Sequence, residues 1–177
     1  MQALIDACAA PEFPAKIVAV ISNKADAYGL ERAKKANIPT AVIPHKDYAT
    51  REDFDRAMHA KLIKMGVEFV CLAGFMRLVT PWFVSQWENR IINIHPSLLP
   101  AFKGAHSHRD ALAAGAKIHG CTVHYVTAEM DAGPIIMQAS VPVLAGDTED
   151  VLAARVLEKE HIIYPAALKK IALAMVS

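Results

Sequence analysis

The sequence has few cysteines, and none of them lies in a recognisable motif. Its 177 residues include three cysteines, Cys8, Cys71 and Cys121, which are far apart and form no Cys-x-x-Cys pair. An odd, widely spaced set argues against a disulfide framework and against a zinc knuckle. We therefore expect the protein to work in a reducing compartment, the cytoplasm.

Long apolar runs and clusters of positive charge are also absent. No stretch approaches the ~18 apolar residues needed to span a bilayer, and no basic segment followed by an apolar one opens the chain. The formal net charge is +1, with Lys and Arg dispersed along the sequence. This distribution predicts neither a nucleic-acid partner nor a membrane partner.

The motifs of nucleotide-dependent enzymes and of serine hydrolases are missing as well. The sequence contains no Gly-x-Gly-x-x-Gly, no Walker loop and no Gly-x-Ser-x-Gly elbow, which counts against nucleotide cofactors, ATP and that class of hydrolase. What is present is a chain that is 54% hydrophobic and 21% charged. Its length and composition predict a single globular domain over residues 1–177.

Short apolar runs alternate with helical patterns along the chain. The candidate strands are residues 16–22, 40–43, 67–73, 91–95, 118–127 and 135–143. Candidate helices cover residues 1–10, 51–65 and 107–114, start at Pro81, and run from residues 147–148 past Glu160 until Pro165 ends or kinks the last one. Alternation of this kind predicts an α/β fold, an open, mostly parallel twisted sheet with helices on both faces, whose last two strands can pair antiparallel.

Two polar side chains close the fourth candidate strand. Asn93 and His95 are two residues apart, so they point to the same face, and Pro96 ends the strand immediately afterwards. Open α/β sheets bind ligands outside the carboxyl ends of their strands, where an amide and an imidazole can polarise a carbonyl and move a proton. The alternative is an ordinary polar pair at the end of a strand.

Asp131 and the remaining histidines carry weaker signals. Asp131 precedes Ala-Gly-Pro in a turn between apolar strands, where a carboxylate needs a partner such as His95, although it can equally stabilise the turn itself. Four other histidines have no spacing that matches a metal motif, so we expect no metal site, and we expect His108 to belong to a cap or a substrate wall. These histidines are His106, His108, His119 and His124.

Several ordered motifs together are more specific than any of these patterns. They are Asn-Ile-His-Pro-Ser-Leu-Leu-Pro at residues 93–100, Phe-Lys-Gly at 102–104, His-Ser-His at 106–108, and the segment from His124 through Asp131-Ala-Gly-Pro-Ile-Ile. With Ser-Asn-Lys-Ala-Asp-Ala-Tyr-Gly at 22–29 and Leu-Ala-Gly-Phe-Met-Arg at 72–77, the chain resembles the phosphoribosylglycinamide formyltransferase family from Met1 to about Pro165.

The resemblance implies a reaction and a set of site residues. The reaction is transfer of a formyl group from 10-formyltetrahydrofolate, a co-substrate, to the amine of glycinamide ribonucleotide in purine biosynthesis, without a metal, by a monomer or a homodimer. Asn93 would donate a hydrogen bond to the oxyanion, His95 would donate another as imidazolium, and Asp131 would relay the amine proton. The implied binding residues are Arg51, Met76, Arg77, Leu78, Val79 and Asn93 for the folate and Glu160 for the substrate ribose.

One departure from the family lies at the start of the chain. The family carries a first strand and a Gly-x-Gly-Ser-Asn loop immediately before the segment that Met1-Gln-Ala-Leu4 resembles, and its members usually continue beyond Ser177. We therefore expect an N-terminally truncated domain in which Met1 is an internal methionine. Its sheet would lack an interior strand, and its binding of the substrate phosphate would be weakened.

Three other functions are compatible with the sequence. A formyltetrahydrofolate hydrolase or a methionyl-tRNA formyltransferase would use the same folate site, but each carries an additional module for which these 177 residues leave no room. An inactive folate-binding remnant would bind folate without turnover.

Overall fold

A computed structural model describes residues 1–175 of the chain, and these form an α/β domain. Its helices are α1 Gln2–Cys8, α2 Tyr28–Lys35, α3 Arg51–Lys64, α4 Pro81–Gln86, α5 Ser107–Ala113 and α6 Glu149–Met175, with a short 3-10 helix at His45–Asp47. Its strands are β1 Val20–Ser22, β2 Thr40–Val42, β3 Val70–Leu72, β4 Ile91–His95, β5 Ile118–Tyr125 and β6 Ile135–Pro142.

The strands form two hydrogen-bonded groups. β1 pairs with β2 in parallel, and β3 pairs with β4 in parallel. β5 then pairs antiparallel with both β4 and β6. The alternating α/β arrangement predicted from the sequence is confirmed, including the antiparallel pairing of the last two strands.

A gap separates the two groups of strands. Among the described residues β1 has only β2 as a partner and β3 has only β4. Between them lies a cavity of about 1120 Å³, lined by β1, by β3, and by Met1, Leu4 and Leu168. The two predicted strands at residues 16–22 and 67–73 are correspondingly reduced to three residues each, because only one edge of each has a hydrogen-bonding partner.

The four-stranded group is covered on both faces. Ile92 of β4 packs in a cluster with residues of α1 and α6, whereas its neighbour Ile91 packs in a second cluster with residues of α3 and α4. Successive side chains of a strand point to opposite faces, so these two clusters lie on opposite sides of the sheet. Polar groups of β4 therefore reach solvent only near the strand's end.

Helix ends follow the local sequence in most cases. Thr50 accepts a hydrogen bond from the Asp53 N–H at the start of α3, and Thr80 accepts one from the Phe83 N–H at the start of α4. α5 begins at Ser107, the predicted first residue, and His106 is its cap. Pro165 does not end α6, which continues to Met175.

None of the helices in the described part of the chain is long and apolar enough to cross a bilayer.

Candidate active site

The site begins at the carboxyl end of β4. Asn93 lies opposite Leu72 of β3 on one side and opposite His124 of β5 on the other. His95 is the last residue of the strand, and only 6% of it is exposed. An amide and an imidazole thus project from the same face of a central strand, as their spacing predicted.

The loop that follows His95 is anchored to the neighbouring strands. The Thr122 hydroxyl donates to the Ser97 carbonyl at 2.7 Å and accepts from the Leu99 N–H at 3.1 Å. Gln138 Nε2 donates to the Leu99 carbonyl at 3.0 Å. These contacts fix the path of the loop, which brings the Phe102 carbonyl oxygen to 3.0 Å from His95 Nε2.

A second loop, between β5 and β6, carries Asp131. The Tyr125 N–H donates to the Pro134 carbonyl at 2.9 Å, so this loop lies close to the end of β5. A Cβ at Gly133 would lie 1.7 Å from the Tyr125 carbonyl oxygen, and glycine is therefore required for the close approach. Asp131 itself has a φ of 50°, in the left-handed region that Asp tolerates better than most residues.

Asp131 lies between two imidazoles. Its Oδ2 is 3.5 Å from His95 Nδ1 and accepts a hydrogen bond of 3.0 Å from the Gly104 N–H. Its Oδ1 is 3.8 Å from His124 Nε2, and the Asp131 side chain is 11% exposed. The structure therefore brings together Asp131 and His95, which the sequence separates by 36 positions.

Both nitrogens of His95 face protein groups in this arrangement. Nε2 meets a carbonyl oxygen, which can only accept, so Nε2 carries a hydrogen and donates it to Phe102. Nδ1 faces Asp131. A hydrogen bond from His95 Nε2 to a reacting oxygen thus requires that oxygen to replace the Phe102 carbonyl.

The residues expected on the folate side lie in and near the loop between β3 and α4. Met76 is 81% exposed and Leu78 is 54% exposed, whereas Val79 packs against the α3 and α4 cluster. The Arg77 guanidinium lies 5.6 Å from the centre of the Phe54 ring, and Arg51 is an exposed residue at the first position of α3. Because β3 and β4 are parallel, this loop and His95 lie at the same edge of the sheet.

The start of α4 fixes the far end of that loop. Asp55, a buried carboxylate on α3, accepts a 2.6 Å hydrogen bond from the Thr80 N–H. Two apolar side chains of the same loop, Met76 and Leu78, are exposed.

Glu160, the expected ribose ligand, lies on α6. Burial raises the pKa of its carboxyl group, and the positive charge of the Met1 amino group acts in the opposite direction. The Glu160 carboxyl group is therefore close enough to the Met1 amino group for the two charges to interact.

Several groups of the site were missed from the sequence. The sequence predicts no role for His124 beyond its place at the start of a motif, although its two-residue spacing from Thr122 on one strand indicates that both side chains point to the same face. The Phe102 carbonyl and the Gly104 N–H are main-chain groups, so no side-chain pattern in the sequence indicates that they belong to the site. His108, expected in a cap or substrate wall, lies on α5 with its Nδ1 3.2 Å from His119 Nε2.

The pair of His108 and His119 is kept neutral by its surroundings. Burial is the main cause that lowers the pKa of His119 to about 4, and His108 adds to the effect. Burial also lowers the pKa of His108. Over residues 1–175 there is no group of three or more His, Cys, Asp or Glu side chains arranged to hold a metal ion.

Comparisons with known proteins identify the family. A family model described as formyl transferase matches residues 1–168. The chain is 49% identical over 168 residues to phosphoribosylglycinamide formyltransferase of Escherichia coli (strain K12), covering 95% of this chain and 79% of that protein. It is also 52% identical over 172 residues to the trifunctional purine biosynthetic protein adenosine-3 of Gallus gallus, covering 97% of this chain but only 17% of that protein.

Solved structures give the same result for the fold. Glycinamide ribonucleotide transformylase 1 from Symbiobacterium toebii superimposes with a TM-score of 0.96 at 50% identity, over 98% of this chain and 82% of that one. Phosphoribosylglycinamide formyltransferase from Brucella melitensis gives a TM-score of 0.92 at 55% identity, over 97% and 88% of the two chains. The chain with the amide, imidazole and carboxylate at the end of β4 belongs to the formyl transferase family.

Proposed function

We propose that this chain transfers a formyl group from 10-formyltetrahydrofolate to the amine of glycinamide ribonucleotide, a step of purine biosynthesis. The observation that carries the proposal is the meeting of Asp131 and His95, 3.5 Å apart, beside Asn93 at the end of β4. It is supported by the names of relatives about half identical to the chain, such as the Escherichia coli enzyme.

The catalytic assignments follow the charges that the reaction develops. The amine attacks the formyl carbon, and the former carbonyl oxygen becomes negative. Asn93 donates a hydrogen bond to that oxygen, a contribution of about 10²–10³ in rate for one such donor. Asp131 accepts the amine proton and delivers it to the folate nitrogen as the carbon–nitrogen bond breaks. His95 Nε2 donates to the same oxygen once that oxygen has replaced the Phe102 carbonyl.

The binding assignments follow the two sides of the site. The folate ring lies against the loop after β3, where Met76 and Leu78 expose apolar surface and Arg77, Val79, Arg51 and Asn93 surround it. Glu160 binds the ribose hydroxyls of the substrate. We expect a cytoplasmic enzyme that uses the folate as a co-substrate and needs no metal.

We also propose that the domain is N-terminally truncated and that an extended apolar segment preceding Met1 fills the cavity between β1 and β3. Among residues 1–175 neither strand has a second partner on its cavity side, and Met1 lies in the cavity wall. One strand running parallel to both would join the two groups into a single sheet. A loop after that strand would offer backbone N–H groups to the substrate phosphate.

Formyl transfer to glycinamide ribonucleotide tests the proposal. The chain, a version extended at its N-terminus, and the extended version with Asn93→Ala would be compared for turnover and for folate binding. We expect turnover in the extended version, a loss of about 10²-fold or more in kcat with Asn93→Ala, and a similar folate affinity in the chain and its extended version. Folate binding without turnover in the extended version would show instead that the chain is a binding remnant.

A further inference from the structure

The loop between β3 and α4, residues 73–80, has little structure of its own. Within residues 1–175 no main-chain hydrogen bond involves residues 73–79. The path of the loop therefore depends on its two ends and on the side chains that anchor it. Since the proposed function places the folate ring against this loop, its conformation before the folate arrives affects the affinity.

Two consecutive residues of α3 anchor the end of the loop. Phe54 belongs to the apolar cluster against which Val79 packs, and the Arg77 guanidinium lies 5.6 Å from the centre of the Phe54 ring. Asp55 accepts a 2.6 Å hydrogen bond from the Thr80 N–H. Both α3 residues are buried, with 3% and 2% of their surface exposed, so neither is a surface contact that solvent can replace.

The same face of α3 carries Arg51, which is expected on the folate side of the site. Residues three and four positions apart are neighbours on a helix surface, so Arg51, Phe54 and Asp55 lie on one side of α3. One helix thus carries the arginine and also holds the end of the loop. A shift of Thr80 relative to α3 would change the spacing between the two parts of the folate site.

The hydrogen bond to Thr80 fixes what apolar packing leaves free. Apolar contacts are non-directional, whereas a hydrogen bond requires both a distance and an angle. Thr80 is also the N-cap of α4, where its side chain accepts from the Phe83 N–H. Holding its main-chain N–H therefore fixes the end of the loop and the start of the helix together. A polar group as buried as Asp55 is costly unless it is hydrogen-bonded, which keeps this contact in place.

We propose that Asp55 is a positioning residue for the folate, which holds residues 73–79 in their binding conformation before the ligand arrives. The inference rests on the proposed formyl transfer and its folate site. Without the Asp55 acceptor the loop would sample other conformations, and the entropy lost in ordering it would weaken folate binding. Asp55 is buried and bonded to the main chain, so it acts through the loop and not on the reacting atoms.

Two substitutions at Asp55 separate the hydrogen bond from the rest of the side chain. Asp55→Ala removes the acceptor, whereas Asp55→Asn keeps an oxygen that can accept from the Thr80 N–H. In the N-terminally extended enzyme we expect the Michaelis constant for 10-formyltetrahydrofolate to rise about tenfold in Asp55→Ala and to return towards the parent value in Asp55→Asn. The Michaelis constant for glycinamide ribonucleotide and kcat at saturating folate should stay within about twofold.

Leu62→Ala is the matched control for a loss of stability alone. Leu62 is 7% exposed and belongs to the same helix and the same apolar cluster as Phe54, and its truncation leaves a cavity. A purely structural effect lowers the fraction of folded enzyme, and thus the apparent kcat, without changing the Michaelis constant for the folate. We therefore expect that constant to rise in Asp55→Ala and not in Leu62→Ala.

The outcomes distinguish this inference from the proposed function. With an active parent enzyme, an unchanged folate constant in Asp55→Ala, or an equal rise in Leu62→Ala, would overturn the role of Asp55 alone. A parent enzyme that transfers no formyl group would refute the proposed function and with it this inference.

Amide hydrogen exchange in the unliganded chain tests the anchor without a measurement of activity. The Thr80 N–H, compared with amides of β4 that report on global unfolding, should be protected in the parent and in Asp55→Asn and should exchange faster in Asp55→Ala. Equal protection of Thr80 in Asp55→Ala would contradict the inference, because the loop would then keep its position without the carboxyl group.

Discussion

Two backbone groups decide how the site side chains meet. The Phe102 carbonyl accepts from His95, and the Gly104 N–H donates to Asp131. Both residues have positive φ values, 53° and 89°. A motif in the sequence identifies the side chains that meet, but it does not reveal which main-chain groups turn towards them. The pairing of His95 with Asp131 was therefore predictable, and the partners on their other sides were not.

Gly133 is the residue whose replacement should displace Asp131 without touching a reacting group. In Gly133→Ala the new Cβ would lie 1.7 Å from the Tyr125 carbonyl oxygen, so the backbone has to move. We expect a loss of about 1–3 kcal/mol in the free energy of unfolding, as for other overpacked sites, and a fall in kcat of tenfold or more. Urea unfolding and formyl transfer by the extended enzyme would measure the two effects.

The control for that variant is another glycine whose surroundings are open. Gly66 has a φ of 69°, and nothing lies within 4 Å of an added Cβ. Gly66→Ala should therefore lose stability through backbone strain alone and keep its kcat. A Gly133→Ala enzyme with normal turnover would show that Asp131 does not need its present position.

Among the helices and strands, the best predictions were those with a local chemical signal. Thr50 and Thr80 fix the starts of α3 and α4 through their side-chain oxygens, and the apolar run ending in His95 fixes β4. β1 and β3 are shorter than predicted because the length of a strand depends on its partners, which an apolar run does not specify. α6 continues past Pro165 because its buried residues Ala167, Leu168 and Ile171 pack on the sheet, and this packing outweighs the lost hydrogen bond.

The pair of Asp147, just before α6, and Arg155 on α6 predicts how the free energy of unfolding depends on pH. Asp147 accepts hydrogen bonds from Arg155 Nη1 and Nη2 at 2.6 and 2.8 Å and from the Leu144 N–H at 2.8 Å. The Arg155 guanidinium, the largest cause, lowers the pKa of Asp147 from 3.8 to about 2. A depressed carboxyl pKa contributes stability that is complete above the unfolded-state value and is lost as the pH falls from about 4 towards 2.

Asp147→Asn should therefore be less stable than the parent at pH 6 and should lose less stability between pH 4 and pH 2. Thermal unfolding across this range measures both differences. Asp150→Asn is a suitable control, since Asp150 lies in the first turn of α6, three residues after Asp147, and has neither the Arg155 nor the Leu144 contact. Parallel curves for the parent and Asp147→Asn would show that the pair does not couple folding to pH.

For the molecule as a whole, we expect the strands on the two sides of the gap between β1 and β3 to differ in their local stability against unfolding. β1 and β2 are joined to the rest by side-chain packing, whereas β3 to β6 share a continuous ladder of hydrogen bonds. We expect amide hydrogens of β1 and β2 to exchange with solvent well before those of β4 and β5, because the smaller unit can open by itself.

A version extended at the N-terminus tests the cause of that division. If an added strand joins the two groups, exchange in β1 and β2 should slow towards that of β4, and the melting temperature should rise. An extension with two prolines in the added segment is the matched control, since proline cannot donate to both neighbouring strands. Equal protection in the two extensions would mean that the cavity does not take a strand.

The same gap has a consequence for handling the protein. Within residues 1–175 neither border of the gap has a second strand paired to it, and such borders are templates for sheet formation between molecules. Copies of this chain can form the missing hydrogen bonds by exchanging segments with one another, at a rate that grows with the protein concentration. Aggregation of the isolated chain would then result from an incomplete sheet rather than from a poorly packed core. Dilution would reduce this aggregation more than a change of salt concentration.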